Sequence, residues 1–235
     1  MPSASSPASV LGAVLPAAGA GLRMGGASKQ FRTLGSAPVL VQTARTFAAH
    51  PDVGPLVVVV PADRVDETAD VLAAFAVEAA VVAGGATRQV SVRHGVLALP
   101  DAVTHVLVHD AVRPFVTAAT IAEVAAAVRA HGAAAAAVPV ADTLRRADGT
   151  HFGDTVDRDG LWAMQTPQGA RRDWLLDASA ASTDVATDEV GLLQAAGHRV
   201  RVVEGDTRNL KLTRPSDWSL AEALWASLAA DRLAS

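Results

Sequence analysis

The arrangement of apolar segments constrains the fold of this chain more than any other feature of its sequence. Short, almost continuously apolar segments, each typical of a buried strand, alternate up to residue 139 with longer segments of helical periodicity. The strand-like segments are residues 10–15, 56–60, 79–82, 105–109 and 134–138, and the helical ones are residues 38–49, 63–75, 87–99 and 117–131. Apolar strands joined by helices indicate a mainly parallel sheet with helices on both faces. The sequence therefore predicts a Rossmann-like α/β fold, whose ligands belong at the carboxyl ends of the strands.

The alternation ends at Pro139, and the next stretch predicts a projecting arm. Residues 141–168 are polar and contain the turn signals Asp148-Gly149 and Arg158-Asp159-Gly160 between short alternating runs. We expect a β-hairpin arm over about residues 141–168. Its apolar run at residues 161–164 would be poorly buried in an isolated arm, so we expect a second copy of the chain to cover it.

The remaining segments fit one domain. Helices are expected at residues 171–182, 187–196 and 215–233, with a strand at residues 199–204. Residues 1–9 have no basic residue and no long apolar run, so we expect a short disordered lead rather than a targeting signal. We expect residues 10–235 to form a single domain.

Composition and charge narrow the classes of function. Half of the 235 residues are apolar and 19% are charged, which allows a large core, and no apolar run reaches the length of a membrane span. The formal net charge of −4 argues against general binding to nucleic acids or to anionic membranes. The absence of cysteine excludes disulfides and thiolate metal sites, and it is compatible with a cytoplasmic location.

The first predicted strand leads into a loop of small residues that could hold phosphate. Residues 17–21 read Ala-Ala-Gly-Ala-Gly, and the cations Arg23 and Lys29 follow closely. Such a loop lets backbone N–H groups approach an anion, and the cations add fixed positive charge. It matches neither a Walker A sequence nor a dinucleotide-binding fingerprint. Tight packing of a strand against a helix also produces such loops, so this segment alone leaves both interpretations open.

Three further segments fall at the same predicted edge of the sheet. Asp110 follows the fourth strand, where its carboxylate could bind Mg²⁺ or a ribose hydroxyl, or simply pair with Arg113. Gly84 and Gly85 follow the third strand and would let a nucleobase lie against the backbone, although an ordinary loop before a helix N-cap is the alternative. Lys211 precedes the last helix and would bring a second lysine to this edge.

Two more polar residues lie beside these segments. Ser91 follows the double glycine within the next helical turn and could form a hydrogen bond to the base. His109 precedes Asp110 and could act as a general base, but a phosphate monoester is already an anion near neutral pH. We therefore expect His109 to have a structural role.

In their order along the chain these segments resemble one enzyme family. The matching blocks are Pro16–Gly19 with Gly21, Arg23-Met24 and Lys29-Gln30; Gly84-Gly85 with Arg88 and Ser91-Val92; Val108–Pro114; Asp142-Thr143; residues 155–162; Gln165–Gln168; Thr187–Glu189; and residues 203–215. They run from about residue 10 to the end of the chain without a large gap. The chain is similar in these blocks to the 2-C-methyl-D-erythritol 4-phosphate cytidylyltransferases of the non-mevalonate isoprenoid pathway.

The resemblance implies a nucleotidyltransferase fold, the substrates CTP and methylerythritol phosphate, Mg²⁺ or another divalent cation, and a homodimer held by the arm. It assigns Arg23, Lys29 and Lys211 to the CTP phosphates as catalytic cations. It assigns to CTP binding Pro16, Ala17, Ala18, Gly19, Gly21, Gly84, Gly85, Arg88, Ser91, Asp110 and Ala111, with Asp110 near the ribose and the metal. It assigns to the sugar phosphate Arg113, Thr143, Arg158, Thr166 and Thr187, with Thr187 reaching the partner subunit's site.

Three residues depart from the family pattern. Leu22 stands where many members have a second arginine before Arg23. Ala86 stands where others have an acidic residue after the double glycine, so backbone groups must serve that contact with the base. Arg208 stands where an aspartate is common before the asparagine that follows.

The implied mechanism is in-line attack by the methylerythritol phosphate on the α-phosphorus of CTP, with pyrophosphate as the leaving group. The nucleophile is an anion, so positioning and charge neutralisation carry the catalysis. Lys29 and Lys211 would stabilise the α-phosphate, Arg23 together with Mg²⁺ the pyrophosphate, and Arg158 the attacking phosphate.

Two alternatives stay open at this stage. A ribitol 5-phosphate cytidylyltransferase of the same fold would share the CTP residues and differ mainly around Arg158 and Thr187. A nucleotide-binding regulator or an NAD-linked reductase would belong to another class. An NAD-linked reductase would have an acidic residue at the end of its second strand, where this chain has Val60-Pro61. A regulator would not need two lysines at the α-phosphate.

Overall fold

A seven-stranded sheet with helices on both faces forms the centre of the protein. The computed structural model describes residues 10–19, 29–181 and 186–234. Its strands are β1 (Leu11–Pro16), β2 (Thr33–Leu34), β3 (Ala37–Pro38), β4 (Leu56–Val60), β5 (Ala80–Ala83), β6 (His105–Val108), β7 (Ala133–Pro139), β8 (Leu144–Asp148), β9 (His151–Val156), β10 (Trp162–Arg171) and β11 (Arg201–Glu204). Its α-helices are α1 (Val39–Ala48), α2 (Val65–Ala74), α3 (Arg88–Ala98), α4 (Ala118–His131), α5 (Arg172–Ala181), α6 (Glu189–Ala195) and α7 (Ser216–Ala234).

The order of the strands across the sheet is β11-β7-β10-β6-β1-β4-β5. All neighbouring pairs are parallel except those of β10, which runs antiparallel between β6 and β7. The mainly parallel, Rossmann-like α/β fold is therefore confirmed. Because β1, β4, β5 and β6 run in one direction, the loops that follow them meet at the same edge of the sheet.

Alternate residues of the central strands supply the cores on the two faces of the sheet. Leu15 and Val58 pack with Phe47 of α1 on one face, whereas Val14 and Val57 pack with residues of α3 and α5 on the other. This follows from the two-residue period of a strand, which points successive side chains to opposite faces. Both faces are covered, which is why the strands are apolar throughout.

Local signals explain where the helices begin and end. Thr117 caps α4 by accepting a hydrogen bond from the backbone N–H of Thr120 at 3.1 Å, and Thr87 caps α3 in the same way. Helix α4 ends at Gly132, which has a φ of +82°. None of the helices in the described parts of the chain is both long enough and apolar enough to cross a bilayer.

The arm is shorter than its predicted range. Strands β8 and β9 form a separate two-stranded hairpin, but residues 162–168, which were predicted to lie in the arm, belong to β10 in the central sheet. The prediction was wrong there because Gln165, Thr166 and Gln168 look like loop residues but are buried, with their polar atoms hydrogen-bonded to neighbouring segments. Leu161, Trp162 and Met164 nevertheless remain 38–41% exposed.

Candidate active site

A cleft of about 420 Å³ opens at the carboxyl ends of β1, β5 and β6. It is lined by Pro16, Ala17, Ala18, Gly19, Lys29, Gln30, Gly85, Ala86, Thr87, Arg88, Ser91, Asp110, Val112, Lys211 and Thr213. Ten of the predicted site residues therefore lie together, including Lys29 and Lys211. These are the only lysines of the chain, because the other 18 of its 20 basic residues are arginines. Gly21 and Arg23 lie outside the described residues.

The loop after β1 is held open by hydrogen bonds to its backbone. The N–H of Ala17 donates to the carbonyl of Val59 at 2.6 Å, which extends the parallel pairing with β4. The carbonyl of Ala17 accepts a hydrogen bond from the side chain of Gln30 at 2.8 Å. Gln30 is buried and follows Lys29 in a short 3-10 turn, so the same contact places Lys29 at the rim of the cleft.

The loop after β5 lies against the loop after β1 because it begins with glycine. A Cβ on Gly84 would lie 2.6 Å from the Cβ of Ala18, so a side chain there would push the two loops apart. The hydroxyl of Ser91 accepts a hydrogen bond from the N–H of Gly85 at 3.0 Å and donates to the carbonyl of Thr87 at 2.9 Å. Ser91 thus fixes this wall of the cleft as well as lining it.

Asp110 is at the centre of the charges in the cleft. Its Oδ2 lies 2.9 Å from Nζ of Lys211 and 3.3 Å from Nε of Arg113, and its Oδ1 lies 3.5 Å from Nη2 of Arg88. Burial alone would raise the pKa of Asp110, but Lys211, Arg88 and Arg113 hold this pKa well below its usual range. Asp110 is therefore a fixed negative charge among three cations.

Arg88 is shared between two carboxylates. Its Nη1 lies 2.6 Å from Oε1 of Glu189, and its Nη2 lies 3.0 Å from Oε2 of the same side chain. Burial alone would lower the pKa of Arg88, but Glu189 and then Asp110 raise it above its usual value. The guanidinium therefore remains charged in the wall of the cleft.

His109 helps to position Asp110 through Thr166, as expected of a structural histidine. Its Nε2 contacts the carbonyl of Arg113 at 3.1 Å, so this nitrogen must carry the proton and donate. Its Nδ1 then accepts from the hydroxyl of Thr166 at 3.0 Å, and that hydroxyl accepts from the N–H of Asp110 at 3.1 Å. Burial lowers the pKa of His109 to about 4, which keeps the ring neutral.

The residues predicted for the sugar phosphate lie in different places. Arg113 contacts Asp110 and donates to the carbonyl of Asn209 at 2.8 Å, and Thr166 is buried beneath Asp110. Thr143 and Arg158 lie at the base of the hairpin, where Arg158 donates to the carbonyl of Ala141, and neither lines the cleft.

Two other predicted residues flank this region. Thr187 is exposed directly before α6, two residues from Glu189. Thr187 does not line the cleft of its own chain, and its expected reach to the partner subunit's site stays a prediction. Ala111 is fully buried behind the cleft, and its carbonyl accepts from the hydroxyl of Thr43 at 3.0 Å.

Sequence reasoning missed four polar residues that shape the cleft. Gln30, Gln168, Glu189 and Asn209 are each no more than 3% exposed. All four lie inside the matching blocks, but nothing in their local pattern distinguishes a buried amide or carboxylate from an exposed one. Only their partners identify them, and these partners are 13 to 101 residues away in the chain.

Comparison with known proteins identifies the family of the chain. The family model described as 2-C-methyl-D-erythritol 4-phosphate cytidylyltransferase matches residues 11–227. The enzyme of that name from Salinibacter ruber is 54% identical over 217 residues, which are 90% of this chain and 91% of the relative. The Deinococcus radiodurans enzyme is 46% identical over 90% of this chain and 88% of its own length. A crystal structure of 4-diphosphocytidyl-2C-methyl-D-erythritol synthase superposes with a TM-score of 0.82 at 36% identity, covering 93% of this chain and 99% of the other. The chain belongs to the 2-C-methyl-D-erythritol 4-phosphate cytidylyltransferase family.

Proposed function

We propose that this cleft transfers the cytidylyl group of CTP to 2-C-methyl-D-erythritol 4-phosphate, giving CDP-methylerythritol and pyrophosphate for isoprenoid synthesis. The observation that carries the proposal is the position of the chain's two lysines. Both line one cleft, beside a loop of small residues whose backbone can approach phosphate. The family membership supplies the identity of the two substrates.

The reaction joins two anions, so charge neutralisation is the main task of the protein. A phosphate oxygen of methylerythritol phosphate forms a bond to the α-phosphorus of CTP, and the bond from that phosphorus to the pyrophosphate oxygen breaks. Lys29 and Lys211 stabilise the charge that develops on the α-phosphate, and Arg23 holds the departing pyrophosphate. No base is needed, and this agrees with the buried, neutral ring of His109.

The cytidine lies in the other half of the cleft in this proposal. The small residues Ala17, Ala18 and Gly85 leave room for the base. Asp110 contacts Lys211, which binds the phosphates in this proposal, so its carboxylate is placed to bind the ribose next to them. Ala86 lines the same wall without a polar side chain, so backbone groups serve this contact with the base.

A divalent cation such as Mg²⁺ is part of the proposal. Asp110 is the one acidic residue among the described residues that line the cleft, and no group of three or more possible metal ligands occurs in the described parts of the chain. This donor set fits Mg²⁺, which is usually held by one or two carboxylates together with substrate phosphates. Asp110 would supply one oxygen, and the ion would add positive charge at the triphosphate.

The substrate assay tests this function directly. The protein is incubated with CTP and Mg²⁺ together with either methylerythritol phosphate or ribitol 5-phosphate, and pyrophosphate release is followed. We expect release with the first sugar phosphate and little with the second. Faster release with ribitol 5-phosphate would contradict the assignment of the substrate, and tight CTP binding with no turnover would indicate a regulator instead.

Replacing each lysine tests the proposed mechanism. Lys29→Ala and Lys211→Ala should each lower kcat by about a hundred- to a thousand-fold, because each removes one fixed charge from the transition state. Initial rates at saturating CTP measure the effect. Normal turnover by both variants would contradict the mechanism.

We also propose that the protein acts as a homodimer whose hairpin arm covers the partner. Phe152 in β9 is 84% exposed, and Leu161, Trp162 and Met164 form an exposed apolar run at the base of the arm. Burial against a second copy would remove this surface from water.

A cytoplasmic location is also part of the proposal, since CTP is available there.

A further inference from the structure

Glu189 is a buried carboxylate to which the proposed mechanism gives no role. It is the first residue of α6, its side chain is 3% exposed, and both of its oxygens contact the guanidinium of Arg88. The side chain of Arg88 is 30% exposed, but the two-point geometry of this partly buried ion pair holds the arginine in one orientation. The two residues are 101 positions apart in the sequence, so the pair joins α6 to α3 across the wall of the cleft.

Strand β10 fixes the position of Glu189. The side-chain oxygen of Gln168 accepts hydrogen bonds from the N–H groups of Glu189 at 3.0 Å and Val190 at 3.1 Å, and its nitrogen donates to Asp188 at 3.1 Å. Thr166, two residues earlier in β10, accepts from the N–H of Asp110. One strand therefore positions the two carboxylates that lie on either side of Arg88.

These two carboxylates compete for one arginine. Arg88 contacts Glu189 at 2.6 and 3.0 Å but Asp110 only at 3.5 Å. Arg88 thus reaches only Oδ1 of Asp110, and weakly, whereas Oδ2 contacts Lys211 at 2.9 Å and Arg113 at 3.3 Å. If Glu189 lost its charge, Arg88 would be drawn closer to Oδ1 of Asp110 and would compete with Lys211, on Oδ2, for the negative charge of this carboxylate.

We propose that Glu189 is a positioning residue that restrains Arg88 and thereby reserves Asp110 for Lys211. It touches no substrate in this view and acts only through Arg88. The inference rests on the proposed function for its consequence, which is nucleotide affinity, but its structural part concerns the contacts of Lys211 alone.

The presence of only two lysines gives a direct test of the structural part. Reductive methylation with ¹³C-formaldehyde labels Lys29, Lys211 and the chain's α-amino group, and Lys29→Arg and Lys211→Arg assign the two lysine signals. Asp110→Asn removes the carboxylate that contacts Lys211, so the spectrum of this variant gives the position of the Lys211 signal when that ion pair is absent. We expect Glu189→Gln to move the Lys211 signal toward that position. Glu78→Gln, the same substitution at an exposed site, should leave the signal in place.

A second substitution distinguishes positioning from a general structural effect. Arg88→Met with Glu189→Leu removes both charges of the pair together, so that neither is left without its partner. With no arginine to reach Asp110, the Lys211 signal should return to its wild-type position. If Glu189→Gln does not fold, Glu189→Asp, which shortens the side chain, should move the signal in the same direction. An unmoved signal in the single variant, or a shift that persists in the double variant, would overturn the inference.

The consequence for affinity is measured on the same proteins before methylation. Glu189→Gln should raise the KM for CTP about tenfold, and change the KM for methylerythritol phosphate less than twofold. Equal changes in both KM values would overturn the positioning role. Absence of pyrophosphate release by the wild type would contradict the proposed function instead, and would leave the Lys211 signal as the test of the inference.

Discussion

At the scale of single residues, His109 makes stability depend on pH. Its pKa in the folded protein is about 4, below the ordinary value of 6.5, because the ring is buried. As the pH falls from 6.5 to 4 the unfolded chain therefore takes up a proton that the folded chain does not. The free energy of unfolding should fall by roughly 3 kcal/mol across this window through His109, and the loss should be complete below it.

The variant His109→Gln tests this coupling. Glutamine can donate to the carbonyl of Arg113 and accept from Thr166 but does not titrate. Urea unfolding between pH 7 and pH 4 should show a clearly smaller loss of stability in this variant than in the wild type. His151→Gln, at an exposed position in the hairpin, is the matched control and should keep the wild-type slope. The same slope in all three proteins would contradict the prediction.

For single residues, the sequence predicts which of them lie at the same edge of the sheet better than it predicts the partner that each one contacts. Asp110 and Lys211 were expected at one sheet edge, because strand order brings the ends of parallel strands together, and they are 2.9 Å apart. Glu189 could not be recognised as the partner of Arg88, because a lone glutamate before an apolar run looks like an ordinary helix start. Its importance comes from burial, which depends on how α6 packs and not on local pattern.

At the scale of elements, the end of helix α4 depends on a glycine for two separate reasons. Gly132 has a φ of +82°, which side chains disfavour, and a Cβ there would lie 2.4 Å from Trp174. Trp174 cannot easily move, because its ring stacks on His198 with centroids 4.1 Å apart. Gly132→Ala should lower the free energy of unfolding by about 3 kcal/mol, as measured by urea denaturation.

Gly197 separates the two causes. It follows α6 with a φ of +85°, but within the described parts of the chain no atom other than those of its own chain neighbours lies within 4 Å of its Cβ position. Gly197→Ala should therefore lower the free energy of unfolding only through backbone strain, by about 1 kcal/mol. Equal losses in the two variants would mean that the contact with Trp174 has no energetic effect.

Strand β10 shows the limit of pattern reasoning at the scale of elements. The parallel strands were predicted to within two residues because their apolar runs are continuous and bounded. Strand β10 carries Gln165, Thr166 and Gln168 in buried positions, so its pattern resembles that of an exposed loop. Their side chains bond to neighbouring segments: Thr166 to the backbone of Asp110, Gln168 to the start of α6 and Gln165 to the carbonyl of Asp206. Function and strand propensity conflict in this element, and the sequence-based assignment therefore failed there.

At the scale of the whole molecule, one chain does not bring all the predicted residues to one cleft. Arg158 and Thr143 lie at the base of the arm and do not line the cleft of their own chain. If they hold the sugar phosphate, as the family resemblance implies, they must reach the cleft of a second copy. The exposed apolar run beside them is the surface that such a copy would bury. The sequence indicated a dimer through this same surface.

Mixing two inactive variants tests whether each site is shared between chains. Lys211→Ala damages a site through its own chain, and Arg158→Ala damages it through the partner if the arm is exchanged. In a two-fold dimer, half of the dimers formed after equal mixing are mixed, and one of the two sites in each mixed dimer contains both native residues. Mixing should thus restore about a quarter of the wild-type rate of pyrophosphate release, after subunit exchange. Mixing each variant with itself controls for dilution and should restore nothing. If the mixture stays inactive while native mass spectrometry shows mixed dimers, Arg158 serves its own chain and the shared site is contradicted.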